Sequence, residues 1–253
     1  DIDGAFRSSD YQVAYQIARS YKNDRGDYAG SLGLWMPKEK FIIGVRSRYI
    51  GDQFDIQEVG YVPWQGTWSL ATLSGPRWFF QNGAVSEAVL YGGIMLNHEK
   101  IDDYTDHLAA LGYNMNFRNG YGFEIEWCGG KTRDVGITYH SQEVSITSWY
   151  QVSPTWHGEW YAGYSHTYNF SRSYLADYGY WGAEAEWQAN RVLNLGASAT
   201  VIVEGNPAGR VEEITFNARP YFSWTPVNGV NARLYVDHLL LHSSGRIERL
   251  IGG

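Results

Sequence analysis

Two pairs of glutamates stand at the spacing that paired-carboxylate catalysis needs on a β-strand. Glu124 and Glu126 form one pair, and Glu184 and Glu186 form the other. Side chains at i and i+2 of a strand share a face, about 6 to 7 Å apart at the backbone. That separation suits the acid and the nucleophile of a glycoside hydrolase. It suits equally the hydrated interior of a β-barrel, where acids and bases interleave, and we favour this second interpretation.

Arginines supply the opposite charge at the same spacing. Arg46 and Arg48 share a strand face, while Arg219 and Arg233 lie on neighbouring predicted strands. A basic stripe opposite an acidic one orients a polar solute in a pore, but charge pairing inside a barrel is the simpler interpretation. The residues predicted to line such an interior are Glu124, Glu126, Glu159, Glu184, Glu186, Arg46, Arg48, Arg219, Arg233 and Asp237.

Other reactive residue types lack a recognised motif. Asp102, Asp103 and Asp106 stand near His98 and Glu99 in one predicted loop, and oxygen-rich loops can hold Ca²⁺. Their spacing matches no EF-hand loop, so we interpret the loop as solvated. The sequence contains no nucleophile elbow, phosphate loop or HExxH motif. We therefore predict no catalytic residue, no metal site and no cofactor.

These charged residues lie on predicted strands in which apolar and polar residues alternate with a period of two. The stretch Thr105–Glu204 holds six consecutive segments of this kind. In Tyr121–Cys128 the odd positions are aromatic or aliphatic, and the even positions are small or polar. Such a pattern predicts a β-strand with two chemically different faces.

The apolar face carries aromatic residues on many strands. The residues predicted to face lipid or to form an aromatic belt are Phe123, Ile125, Trp127, Trp156, Trp160, Tyr164, Trp181, Trp187, Phe216 and Trp224. Tyr and Trp suit a membrane interface because each joins an apolar ring to a hydrogen-bonding tip. The alternative is a platform on which sugars stack.

Opposed residues of an antiparallel pair lie on one face, so apolar residues should meet across each hairpin. This rule predicts four apolar pairs: Phe117 with Phe123, Val152 with Trp156, Trp187 with Leu193, and Trp224 with Val230. It predicts four polar pairs: Glu186 with Asn194, Glu126 with Asn114, Tyr221 with Arg233, and Asn217 with Asp237. Leu32 and Leu34 do not match Ile43 and Val45 unless one strand has a bulge.

Connection lengths alternate along the chain. The turns near 8–10, 37–40, 118–121, 153–155, 189–192 and 225–229 are short. The connections near 22–27, 51–59, 98–104, 129–142, 171–177 and 205–210 are mostly longer and more polar, and the 74–83 connection is an exception. Short turns at one end and long loops at the other are typical of transmembrane β-barrels.

Composition agrees with this class. The chain of 253 residues contains 20 Tyr and 11 Trp, and 16 % of its residues are aromatic. A mean hydropathy of −0.38 does not exclude a membrane, because only alternate barrel residues face lipid. The net charge of −7, with no basic cluster, makes nucleic acid an unsuitable partner. No run approaches the roughly 18 to 20 apolar residues that a spanning helix needs.

Three short motifs resemble a known family. They are Phe54-Asp55 followed by Gly60-Tyr61-Val62, Asn217-x-Arg219-Pro220 with Thr225-Pro226-x-Asn228-Gly229, and Ser243-Ser244-Gly245-Arg246-x-Glu248-Arg249. Together they resemble the C-terminal outer-membrane barrel domain, of undefined function, in Bacteroidetes-type proteins with an N-terminal family-9-like carbohydrate-binding module. The resemblance implies an internal part of a larger barrel, in a glycan-handling system. That family has no established catalytic residues to transfer.

We therefore predict an all-β fold, an antiparallel up-and-down transmembrane β-barrel of about 14 or more strands. Residues 1–253 form one domain, incomplete at both ends. The predicted function is a pore, a transporter or a membrane anchor in the outer membrane of a Gram-negative bacterium. The predicted partners are the lipid bilayer, a glycan or other polar solute, and other outer-membrane or periplasmic proteins. The alternative is a soluble β-rich protein that binds or hydrolyses carbohydrate.

Overall fold

The structure, a computed structural model, describes residues 2–21, 26–55, 65–100, 103–227, 230–243 and 246–252. All regular secondary structure in these ranges is β-strand. The described residues contain no helix long and apolar enough to cross a membrane.

Within the described ranges, sixteen strand segments follow one another. The first eight are β1 (Ile2–Arg7), β2 (Gln12–Arg19), β3 (Tyr28–Pro37), β4 (Phe41–Ile50), β5 (Thr67–Phe79), β6 (Val85–Glu99), β7 (Tyr104–Phe117) and β8 (Tyr121–Asp134). The remaining eight are β9 (Ile137–Ser153), β10 (Trp156–Asn169), β11 (Tyr174–Asn190), β12 (Leu193–Gly205), β13 (Val211–Val227), β14 (Val230–Tyr235), β15 (Asp237–Ser243) and β16 (Arg246–Gly252).

The strands pair in chain order, from β1 to β13 and on through β15 to β16. β14 and β15 both pair with β13, so they are successive segments of one strand interrupted at Val236. Every register that is resolved between neighbouring strands is antiparallel. The all-β, antiparallel up-and-down fold predicted from the alternation is therefore confirmed.

The chain divides into two compact units. One comprises Asp1–Phe79, Ala88–Tyr113 and Cys128–Ser141, and the other comprises Phe80–Glu87, Asn114–Trp127 and Gln142–Gly253. β1 to β5 belong to the first unit, and β10 to β16 belong to the second. The prediction of a single domain over residues 1–253 stays a prediction.

Two predicted connections prove to be strand. The aromatic segment predicted as an irregular connection over 74–83 continues β5 as far as Phe79, and only residues 80–84 connect it to β6. The long loop predicted over 129–142 is instead the two-residue turn Val135-Gly136. Both turn residues have positive φ, 49° and 77°, which is the type I′ geometry that matches the twist of a hairpin. The connection at 80–84 is therefore short and follows the predicted alternation of short and long connections. At 135–136, in contrast, a tight hairpin replaces a predicted long loop.

Several predicted cross-strand pairs are wrong. Trp156 pairs with Ser153, not Val152, at the irregular end of the ladder of β9 and β10. Two other predicted pairs are wrong by two residues and keep their face. Trp187 pairs with Leu195, not Leu193, because the ladder shifts between Gln188 and Asn190. Trp224 pairs with Ala232, not Val230, because of a second irregularity between Trp224 and Val227. Each bulge adds a residue to one strand, so counting equal numbers of residues from the two ends of a turn gives the wrong partner.

The same slip affects the predicted polar pairs on this part of the sheet. Tyr221 pairs with Tyr235, and Asn217 with Leu239. Glu186 pairs with Gly196. Each residue nevertheless stays on its predicted side of the sheet, because a shift of two positions restores the same face.

The hairpin of β3 and β4 needs no bulge. Leu34 pairs with Val45 and Met36 with Ile43, in an unbroken register that runs from Ala29–Ile50 to Pro37–Ile42. The predicted irregularity there is therefore wrong. At the hairpin of β7 and β8 the turn comprises residues 118–120, and the rings of Phe117 and Phe123 lie 6.2 Å apart. The predicted pairing of these two residues stays a prediction.

Candidate functional site

The apolar face is open to its surroundings over most of its length. Trp127, Trp160 and Trp187 are 40 %, 39 % and 39 % exposed, respectively. Of the remaining residues predicted to face lipid, Ile125, Trp156, Tyr164, Trp181 and Trp224 are exposed, while Phe123 and Phe216 are half-buried. No layer of described residues covers these side chains.

On β12 and β13 the apolar face is continuous. Every second residue from Leu193 to Val203 is apolar, and each pairs with an apolar residue of β13 between Trp224 and Ile214. Each of these stretches is eleven residues long. A tilted strand needs about 9 to 11 residues to cross the hydrocarbon core of a bilayer. The apolar face therefore has the length of a membrane-spanning strand.

The two borders of this face differ in chemistry. At the end with the short turns, the paired rings of Trp156 and Trp187 stack with centroids 5.9 Å apart. Towards the other end, the hydroxyl of Tyr164 donates to Asp177, and Nδ1 of His166 lies 2.7 Å from Oδ1 of the same carboxylate. The face thus passes from a tryptophan pair, across small and aliphatic residues, to a polar border. Such borders are typical of the two interfaces of a bilayer.

Tyrosines lie across the strands on the polar face of β9 to β13. Tyr221 of β13 passes over Gly196 of β12, and its hydroxyl lies 3.1 Å from Oε1 of Glu184 and 2.8 Å from Oε2 of Glu186, both on β11. A Cβ at position 196 would overlap the Tyr221 ring, so glycine leaves the space in which this ring lies.

The arrangement recurs twice. The Tyr180 ring covers Gly163, and its hydroxyl donates to Glu143 on β9. The Tyr161 ring covers Gly182, and its hydroxyl lies 2.9 Å from the Thr200 hydroxyl on β12. Each tyrosine therefore joins three adjacent strands by covering the middle one. We call Tyr161, Tyr180 and Tyr221, with the groups to which they bond, the tyrosine lattice.

The lattice gives the second glutamate pair a structural role. Glu184 and Glu186 share the Tyr221 hydroxyl, and Nε2 of His157 lies 3.7 Å from Oε1 of Glu186. Of the first pair, Glu124 accepts a hydrogen bond of 3.4 Å from Asn114, where the sequence predicted Glu126 as the partner of Asn114. Glu124 and Glu126 are half-buried, and Glu159 is exposed opposite Glu184.

Arg219 and Arg233 of the second unit each have close neighbours. Nη2 of Arg219 donates to Oδ2 of Asp237 at 3.0 Å, and the Arg219 guanidinium lies 5.0 Å from the Tyr235 ring. Arg233 lies 4.4 Å from the Tyr221 ring on the polar face. The predicted neighbours Tyr221 and Arg233 are therefore in contact, although their backbones are not ladder partners. The ion pair of Arg219 with Asp237 was not predicted.

A second charged cluster, formed by one arginine and three glutamates, lies at the end of the sheet that carries the 170–173 turn. Arg172 of this turn contacts Glu204 at 3.3 Å, Glu213 at 2.9 Å and Glu212 at 3.5 Å. Burial lowers the pKa of the Arg172 guanidinium, but the charges of these carboxylates outweigh this effect and raise it. Tyr174 also donates to Glu204, at 2.9 Å. The cluster holds the turn against β12 and β13.

The polar face of β2 to β4 has a different character. Arg46 is exposed and stands opposite Gly33 and Ala71, and Arg48 stands opposite Ser31 and Ser69. Small side chains here leave a concavity of about 570 Å³ on β1 to β4. This part of the first unit has no counterpart of the tyrosine lattice on its resolved ladders.

No family model matches the chain, and no curated protein matches it. Among solved structures, the chain is similar to one described as outer-membrane expressed OmpT of Vibrio cholerae, with 10 % sequence identity and a TM-score of 0.44. That similarity covers 94 % of this chain and 89 % of the other chain.

Some predicted features lie outside the described residues. They include Gly60, Tyr61 and Val62 of the first family motif, the loop residue Asp102, and the pairs 228–229 and 244–245 of the other motifs. Within the ranges that the structure describes, no three His, Cys, Asp or Glu side chains are grouped so that they could hold a metal ion.

The tyrosine lattice is the feature that sequence reasoning missed. Its signal was present, because Gly163, Gly182 and Gly196 stand on the polar parity of long strands. Glycine inside a strand marks a close approach of another group. Which tyrosine approaches it follows only from the register.

Proposed function

We propose that this chain is the membrane-embedded part of an outer-membrane β-barrel and forms a pore for a polar solute. The observation that carries the proposal is the exposed apolar face, eleven residues long on β12 and β13 and bordered by Trp156 and Trp187. Exposed faces of this kind bury their side chains only in another protein or in lipid. The length and the aromatic border favour lipid.

The scarcity of a core supports the same conclusion. Seven hydrophobic residues of the described chain are buried: Ile42, Ile50, Phe54, Ala88, Val89, Ala176 and Tyr221. The accessible surface is 16424 Å², whereas a soluble monomer of 28.7 kDa exposes about 11,300 Å². A chain in water needs apolar burial to offset the entropy lost on folding. A bilayer supplies that environment to the face that the protein leaves open.

The polar face then lies on the water side of the barrel wall. It carries carboxylates, amides, hydroxyls and arginines at alternate positions of the same strands, including Glu184, Ser198 and Asn217. Charged side chains at membrane depth persist where they face a water-filled cavity or one another. In this proposal the outer membrane of a Gram-negative bacterium is the location. The resemblance of the three motifs to glycan-associated barrels makes a glycan the proposed cargo.

Two measurements on the full-length protein test the proposal. The protein should need detergent to stay dispersed, and folded protein added to a planar bilayer should give discrete conductance steps. A monodisperse protein in detergent-free buffer would favour the soluble carbohydrate-binding alternative. Correctly inserted protein with no conductance would leave a membrane anchor in place of a pore.

A further inference from the structure

The polar face of the first strands carries two adjacent rows of different chemistry. Ladder partners across β1 to β5 define them. The first row is Asp3, Gln16, Ser31, Arg48 and Ser69, and the second row is Ala5, Ala14, Gly33, Arg46 and Ala71. Apart from Arg46, the second row consists of alanine and glycine, so it forms a floor of bare backbone and methyl groups.

Arg46 stands in the middle of β4 on that floor. Its guanidinium makes no hydrogen bond, ion pair or ring contact with any residue that the structure describes. Arg219, in contrast, has Asp237. A guanidinium is never neutral at physiological pH and presents five donors in a planar fork. At membrane depth such a group needs water or an anionic ligand.

Space for a ligand lies beside it. The concavity of about 570 Å³ is lined by Arg46 and by residues of both rows, including Asp3, Gln16 and Ser31. This volume lies within the range of small-molecule sites, about 300 to 1,000 Å³. It extends over four strands, which are about 4.8 Å apart, so it is about 14 Å wide between β1 and β4.

We propose that this concavity binds a small hydroxylated carboxylate of the uronic-acid type, with the carboxylate on Arg46. The proposal specifies the cargo of the pore inferred above and, in this respect, rests on that function. One arginine fork matches a planar carboxylate, which it binds with two parallel hydrogen bonds. A phosphate dianion brings a second negative charge, which the Asp3 carboxylate of the same concavity disfavours. Asp3, Gln16 and Ser31 supply the acceptors and donors that sugar hydroxyls need.

The direct test compares glucuronate with glucose by titration calorimetry on the folded, detergent-solubilised protein. Glucuronate should bind, and glucose should bind at least several-fold more weakly. Arg46→Gln should weaken glucuronate binding on the order of ten- to hundred-fold, as expected for the loss of hydrogen bonds to a charged group. It should leave glucose binding unchanged.

Two further variants separate the site from general effects of charge and folding. Gly33→Leu keeps Arg46 and fills the floor; a Cβ at position 33 meets nothing closer than the Ala14 carbonyl oxygen at 3.9 Å, so the variant should fold. It should abolish binding of both sugars. Arg7→Gln removes an arginine of the same polar face outside the concavity and should bind glucuronate as the wild type does.

The outcomes distinguish the site from the pore. Equal binding of the two sugars, or glucuronate binding that survives Arg46→Gln, would overturn the site, as would a folded wild type that binds neither sugar. Glucuronate binding by a protein that opens no channel in a bilayer would overturn the pore and leave the site. A protein that conducts but does not bind glucuronate would overturn the site and leave the pore.

Discussion

The polar faces of two parts of the sheet are built on opposite principles. On β10 to β13, Tyr161, Tyr180 and Tyr221 lie across neighbouring strands, and their hydroxyls bond to groups on the polar face. On β2 and β3 the ladder positions in line with Arg46 are Ala14 and Gly33, and the Arg46 guanidinium has no partner among the described residues. Both parts contain glycine on the polar face, with different results. The Tyr221 ring lies over Gly196, whereas the space above Gly33, beside Arg46, is empty of side chains. One face is closed by its own side chains, and the other is left open.

Both polar faces line the barrel interior only if the apolar face contacts lipid, and the largest predicted effect tests this orientation. Ile125→Arg should disrupt insertion into bilayers, at a cost of about 2 to 4 kcal/mol near the midplane, because Ile125 is exposed on the apolar face. Glu124→Arg, on the adjacent polar position, should insert as the wild type does. Folding yield into liposomes measures both, and equal losses would show that the faces are assigned the wrong way round.

The second prediction concerns the two kinds of glycine. Gly196→Val should destabilise the protein by about 1 to 3 kcal/mol, as overpacking does, because its Cβ would overlap the Tyr221 ring. Gly33→Val should cost much less, since the nearest atom to a Cβ there is 3.9 Å away. Urea unfolding in lipid vesicles gives the two differences in free energy. Similar costs at the two sites would remove the contrast between the closed and the open face.

A smaller effect is expected from one hydroxyl. Tyr221→Phe keeps the ring over Gly196 but leaves Glu184 and Glu186 without its proton, so it should cost about 1 kcal/mol. Tyr15→Phe is the matched control, because the Tyr15 ring also covers a glycine, Gly4, and its hydroxyl has no hydrogen-bond partner among the described residues. The same unfolding measurement applies. If Tyr221→Phe leaves the free energy of unfolding unchanged, the aromatic ring alone stabilises this part of the lattice.

The smallest effect is a difference in chemical accessibility. In a Cys128→Ala background, a cysteine at position 31 should react faster with a charged thiol reagent than a cysteine at position 200. Ser31 lines the open concavity, whereas Thr200 lies beside the Tyr161 hydroxyl at 2.9 Å. Stopped-flow labelling of the folded protein gives the two rates. Faster labelling at position 200 would contradict the open and closed assignment.

The sequence determined which side chains share a face. Alternation assigned Trp160, Trp187 and Trp224 to one side of the sheet and Glu184 and Glu186 to the other, and the ladders keep these sets apart. This success has a simple cause, since side chains on a strand repeat every two residues. The same period explains the errors. Registers that differ by two residues place every side chain on the same face, so alternation alone cannot choose between Leu193 and Leu195 as the partner of Trp187.

Tertiary structure decided the register and, with it, the chemistry of the polar face. The irregularity between Gln188 and Asn190 fixes where β12 lies against β11. That register places Gly196 where the Tyr221 ring passes on its way to Glu184 and Glu186. In the same way, the ladder of β3 and β4 sets Arg46 opposite Gly33 and not beside a carboxylate. Contacts between strands depend on bulges and turns that bring distant residues together. An alternation of period two along one strand does not indicate where these bulges and turns occur.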